Sequence, residues 1–117
     1  MDIELVRKYC LQKRGVSESF PFNETTLVFK VMDKIFALLS LDHPQFINLK
    51  CDPELSIELR EEHDEITPGY HMNKTHWNSA SLTGTLNDDM IEELIDHSYN
   101  LIVGSLPKKK KTELEGL

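Results

Sequence analysis

A chain of 117 residues with 39% hydrophobic and 28% charged content suits one globular domain built on a single core. Its formal net charge of −7 argues against indiscriminate attraction to nucleic acid or anionic lipid. No apolar run approaches the roughly 18 residues that a membrane-crossing helix needs.

Residues 2–14 read as a first helix, because Ile3, Val6 and Cys10 recur at helical spacing. Asp2 can cap its start and Gly15 can stop it. Leu27, Phe29 and Val31 alternate along one expected strand, and Ile35, Ala37, Leu39 and Leu41 along the next. The link Met32-Asp33-Lys34 joins these two as a hairpin. Ser17–Phe22 offers a further strand and Phe46–Cys51 another, which together make an antiparallel meander. Asp52-Pro53-Glu54 has the chemistry of a helix start: a capping carboxylate, Pro in the first turn, then an acid near the positive dipole end. Thr67-Pro68-Gly69 reads as a turn and Trp77–Leu82 as a strand. Asn87 opens a last helix with Ile91, Leu94, Ile95 and Ile102 on its apolar face, ended by Gly104 and Pro107. Residues 108–117, KKKKTELEGL, are expected to be a flexible Lys-rich tail beyond a domain of residues 1–107. The fold class is α+β: an antiparallel β-sheet with helices packed on one face.

Charge is unevenly spread. Residues 1–51 carry seven Lys/Arg against six Asp/Glu, residues 52–107 two against twelve, and residues 108–117 four against two. Cys10 and Cys51 are too few for a disulfide framework and read as buried small hydrophobes in a reducing cytoplasm. The opening MDIELVRKYC lacks the layout of a secretory signal, in keeping with a cytoplasmic location.

Period two divides the sheet into faces. Leu27, Phe29, Val31, Ile35, Ala37, Leu39, Ile47 and Leu49 form an apolar set that should meet the helices. The opposite set holds Val28, Lys30, Phe36, Leu38, Ser40, Phe46, Asn48 and Lys50. Lys, Asn and Phe on an exposed sheet suit phosphates and stacked bases, although a solvated face with Lys stems over apolar neighbours has the same composition. The segment TPGYHMNKTHWN, residues 67–78, adds Tyr70, His71, Asn73, Lys74, His76 and the single Trp77. Those groups could donate to phosphate and stack on a base, or Tyr70 and Trp77 could pack on the core while the Asn residues cap turns. His71 and His76 lack the close ligand spacing of a zinc site, and a thiol nucleophile at Cys51 would have to work from an apolar position. No metal or cofactor is expected.

The stretches ESFPFNETTLVFKVMDKIFALLSL, INLKCDPE, TPGYHMNKTHWN and ELIDHSYNLIV resemble the MmcQ/YjbR family of small bacterial proteins, over about Ile3 to Pro107. The resemblance implies a compact α+β domain related to the CyaY-like (frataxin-like) fold. Members are commonly labelled DNA-binding from the winged shape of the sheet and its loops, and no enzymatic activity transfers with the likeness. The expectation is a monomeric, non-enzymatic DNA-binding protein. In it Lys30, Lys50, Lys74 and His71 meet phosphate, Asn48 and Asn73 bond nearby, His76 lies in the same loop, and Tyr70 or Trp77 stacks. The alternative is a module for a protein or a small anionic ligand.

Overall fold

Asp2 caps the first helix, α1 (Ile3–Leu11), by accepting a hydrogen bond from the Leu5 amide. In this computed structural model, which describes residues 1–117, the chain continues through four strands: β1 (Val16–Ser19), β2 (Thr26–Val31), β3 (Lys34–Ser40) and β4 (Phe46–Lys50). Asp52 caps α2 (Pro53–Glu62), with Pro53 in its first turn. Two short strands, β5 (Ile66–Pro68) and β6 (Trp77–Ser81), precede α3 (Asp88–Gly104), which Asn87 caps, and α4 (Lys108–Glu115). The sheet is antiparallel throughout, in the order β1-β2-β3-β4-β6-β5.

One core lies between the sheet and the helices. Val6 and Cys10 of α1, Leu59 of α2, Ile91, Ile95 and Ile102 of α3 and Leu114 of α4 join Leu27, Phe29, Val31, Leu39, Ile47 and Leu49 there. The expected α+β class, with helices on one face, is the architecture found. Cys51 belongs to the same buried cluster, and burial pushes the Cys10 thiol up to about 12 and raises that of Cys51. Neither thiol is set up as a nucleophile.

Four local expectations need correcting. The first strand stops at Ser19, short of Phe20-Pro21-Phe22. Thr67-Pro68 is not a free turn, because it pairs with Asn78 and Ser79 as the outermost strand. The Lys-rich end is a helix and not a frayed tail. Its Leu114 is buried against Gly15, whose left-handed backbone (φ 74°) lacks the Cβ that would come within 2.5 Å of Leu114 Cδ1.

The fourth concerns alternation in β3. Phe29 pairs with Ala37 and Lys30 with Ile35, so Phe36 is an extra residue, a β-bulge. Phe36 therefore turns into the core, edge-on to Tyr99 at 5.4 Å and 6.4 Å from Phe29, while Ile35 moves to the open face. Strict alternation places these two the other way round. Ser98 of α3 fits the irregularity: its buried hydroxyl donates to the Phe36 carbonyl at 2.6 Å and accepts from the Lys50 amide at 2.9 Å. One side chain thus bridges Phe36 of β3 and Lys50 of β4 just beyond the last paired residues, Ala37 and Leu49, and satisfies both backbone groups.

Candidate functional site

The sheet face away from the helices is organised in cross-strand rows fixed by the register. One row runs Thr26–Ser40 and Phe46–Ser81; the next runs Val28–Leu38–Asn48–Ser79–Thr67. A third holds the pairs Lys30–Ile35 and Lys50–Trp77. Val28 and Leu38 are buried yet stand outside the main core, as the apolar floor of this second surface. Around it rise two loops, residues 22–25 and 42–45, and the edge segment 64–72 that carries β5. Together they enclose an open cleft of about 1190 Å³.

Each rim has a local cause. The Asn23 carboxamide accepts from the amides of Thr25 and Thr26 at 2.9 and 2.8 Å, an Asx turn that leaves Phe22 64% exposed at the mouth. The 42–45 loop begins where Asp42-His43-Pro44 ends β3, and Leu82 donates to the Gln45 carbonyl at 3.0 Å. The Ser81 amide donates to the Glu65 carbonyl at 2.9 Å, which brings Asp64 and Glu65 to the same end of the sheet as residues 42–45.

The third rim answers why TPGYHMNKTHWN is so rich in polar groups. Arg60 of α2 donates to Asn78 Oδ1 at 2.7 Å, to the Trp77 carbonyl at 3.2 Å and to the Lys74 carbonyl. Lys74 Nζ turns inward to the Gly69 carbonyl, and the Gly69 amide donates to Trp77 O at 2.8 Å. Gly69 is required by this close approach, since a Cβ there would lie 2.8 Å from Trp77 Cβ. Asn73 Oδ1 accepts from the amides of Thr75 and His76 at 2.9 and 3.3 Å. His71 adopts φ 58°, in the left-handed region. Much of the polarity of the segment therefore builds the loop itself.

At the floor, Asn48 and Ser79 hold that loop down. The Tyr70 amide donates to Ser79 Oγ at 3.0 Å, Ser79 donates to Asn48 Oδ1, and Asn48 Nδ2 donates to the Tyr70 carbonyl at 3.0 Å. The Tyr70 ring, 59% exposed, meets Phe46 edge-on at 5.8 Å and His71 at 4.0 Å.

Of the nine residues singled out in the sequence, Asn48, Tyr70 and His71 line the cleft. Lys30, Lys50 and Trp77 occupy the adjoining row on the same face, outside the lining. Asn73, Lys74 and His76 sit in the loop beyond it, with Asn73 and Lys74 bonded internally. Asp42, His43, Asp64, Glu65 and Phe22 were not anticipated as a group, because they come from loops whose proximity only the strand order reveals. The lining contains no Lys or Arg. Thr85 donates its hydroxyl and, at 3.1 Å, its amide to Glu65 Oε2, which holds that carboxyl below its usual range and keeps it charged.

Comparison with known proteins places this architecture. The uncharacterized protein YjbR of Escherichia coli K12 is 35% identical over 112 residues, 95% of each chain. The uncharacterized protein YbdF of Escherichia coli O157:H7 is 38% identical over 107 residues, covering 91% of this chain and 88% of that one. The crystal structure of Deinococcus radiodurans protein DR2400 superposes with a TM-score of 0.91 at 37% identity, over 97% of this chain and 87% of the other. The family model described as YjbR matches residues 11–101, and the chain belongs to the YjbR family.

Proposed function

We propose that this chain is a non-enzymatic binding module whose ligand lies in the cleft on the open sheet face. The observation that carries the reading is the cleft itself: about 1190 Å³, floored by buried Leu38, Asn48 and Ser79 and overhung by Tyr70. Small-molecule sites usually measure roughly 300–1,000 Å³, so the space suits an organic ligand with room for an extended group. The serines on the floor support a binding role over a catalytic one. Ser79 bonds Asn48 and Tyr70, Ser40 donates to the Asp42 carbonyl at 3.2 Å, and Ser81 bonds Thr83. None has an imidazole partner to raise its nucleophilicity.

Amide-resolved NMR against a library of small organic fragments tests the site. Binding fragments should shift Phe46, Thr67, Tyr70 and Ser79 together, and Tyr70→Ala should weaken the best of them by roughly tenfold, the loss of a stacking partner. Hits that map to the helix side instead would overturn the assignment.

The nucleic-acid reading keeps one specific support: Lys30, Lys50 and Trp77 share a row of the open face, a basic and aromatic strip. On that reading, DNA binding followed by fluorescence anisotropy weakens steeply between about 50 and 200 mM salt and drops further in the Lys30→Ala/Lys50→Ala protein. No binding at the lower salt defeats it for the DNAs used.

A further inference from the structure

We infer that the cleft takes a small organic cation, an ammonium group carried on a flat apolar body. The assignment rests on the cleft being the binding site and adds the chemical class of its occupant.

Charge decides the sign. Asp42, Asp64 and Glu65 are the charged side chains of the lining, and no Lys or Arg faces them from it. None of the three takes part in an ion pair; the chain's ion pairs join other carboxylates. An anion placed here would meet three carboxylates with only the neutral imidazoles of His43 and His71 beside them, whereas a cation meets carboxylates gathered at one concave end of the sheet.

Apolar chemistry decides the body. Phe22 and Tyr70 are two of only six large hydrophobic residues that the fold leaves exposed, and both stand on this cleft. Phe46, Leu38 and Ile35 extend the apolar wall between them. Aromatic faces beside carboxylates attract a cation through the ring quadrupole as well as by burial of its hydrocarbon.

Position decides the orientation. Asp64 and Glu65 lie by the Phe46–Ser81 end of the floor, and Lys50 closes the far end of β4. Four residue steps along β4 separate Phe46 from Lys50, roughly 13 Å at about 3.3 Å per step. The ammonium group belongs at the acidic end, with the flat body lying under Tyr70.

The test uses three probes of one shape followed by amide NMR on the intact chain: 2-phenylethylammonium, 2-phenylethanol and 3-phenylpropionate. The ammonium compound should shift the cleft amides at the lowest concentration and the carboxylate at the highest. Asp42→Asn/Asp64→Asn should weaken the ammonium compound by roughly three- to tenfold, the range for two exposed charge contacts, and leave the alcohol unchanged. Raising salt should reproduce part of that loss. Equal cleft shifts from the alcohol and the ammonium compound would overturn the cation assignment while leaving the site in place. Shifts confined to regions outside the cleft would overturn both.

Discussion

Phe36→Ala should destabilise the protein by about 3–5 kcal/mol, the range for removing a buried phenyl ring. Ile35→Ala, one residue earlier, should cost under about 1.5 kcal/mol, because its partly exposed side chain lines the cleft and truncation leaves little cavity. The contrast depends on the bulge between β2 and β3. Phe36 is fully buried between Phe29 and Tyr99, and neither neighbour can fill the space of a missing ring without leaving its own packing. Urea unfolding of both variants measures the two costs. If Ile35→Ala proved the more damaging, strict alternation would hold in solution and the bulge would be wrong.

Arg60→Ala should cost about 2–3 kcal/mol, as expected for charged hydrogen bonds lost with one buried partner left behind. Asn78 is buried, and its Oδ1 accepts from Arg60 while its Nδ2 donates to Ser56 Oγ at 3.3 Å. Without the guanidinium, that oxygen has no replacement donor, and the carbonyls of Lys74 and Trp77 lose the group that draws them together. A melting temperature lower by roughly 10 °C is expected for a domain of this size. Amide exchange should rise through residues 69–77 more than in the helices. Arg60→Lys should recover little, because an ammonium cannot supply the planar fork that reaches three acceptors. A variant that melts with the parent chain, its loop protected, would remove Arg60 from its place as the organiser of that rim.

These two residues mark where sequence reasoning reached and where it stopped. Caps at Asp2, Asp52 and Asn87, the β2–β3 hairpin and the apolar stripe of α3 follow from short-range chemistry, and each is found. The hairpin turns on Met32 and Asp33, both with positive φ, which matches the twist of the strands it joins. A bulge has no comparable signature: Phe36 and Ile35 are both apolar, and only the register shows which one is the extra residue. Leu114 was similarly hidden, a buried apolar anchor in a lysine-rich stretch whose partner, Gly15, lies about a hundred residues away. The cleft was half legible. Period two exposed Phe46, Leu38 and Asn48 on the open face, and composition drew attention to Tyr70 and His71. The acidic wall was not legible, since Asp42, Asp64 and Glu65 meet only because β6 inserts between β4 and β5.

The Ser98 hydroxyl, held between the Phe36 carbonyl and the Lys50 amide, ties the shape of the open face to the helix behind it. Bulges sharpen strand twist and bend, and this one lies directly behind the floor on which Ile35 and Leu38 sit. The shape of the hollow therefore depends on the reverse side of the sheet, on a helix that contributes no residue to the hollow's lining. A descendant that exchanged Ser98 for a larger or purely aliphatic residue would alter the shape of the cleft while every residue lining it stayed the same.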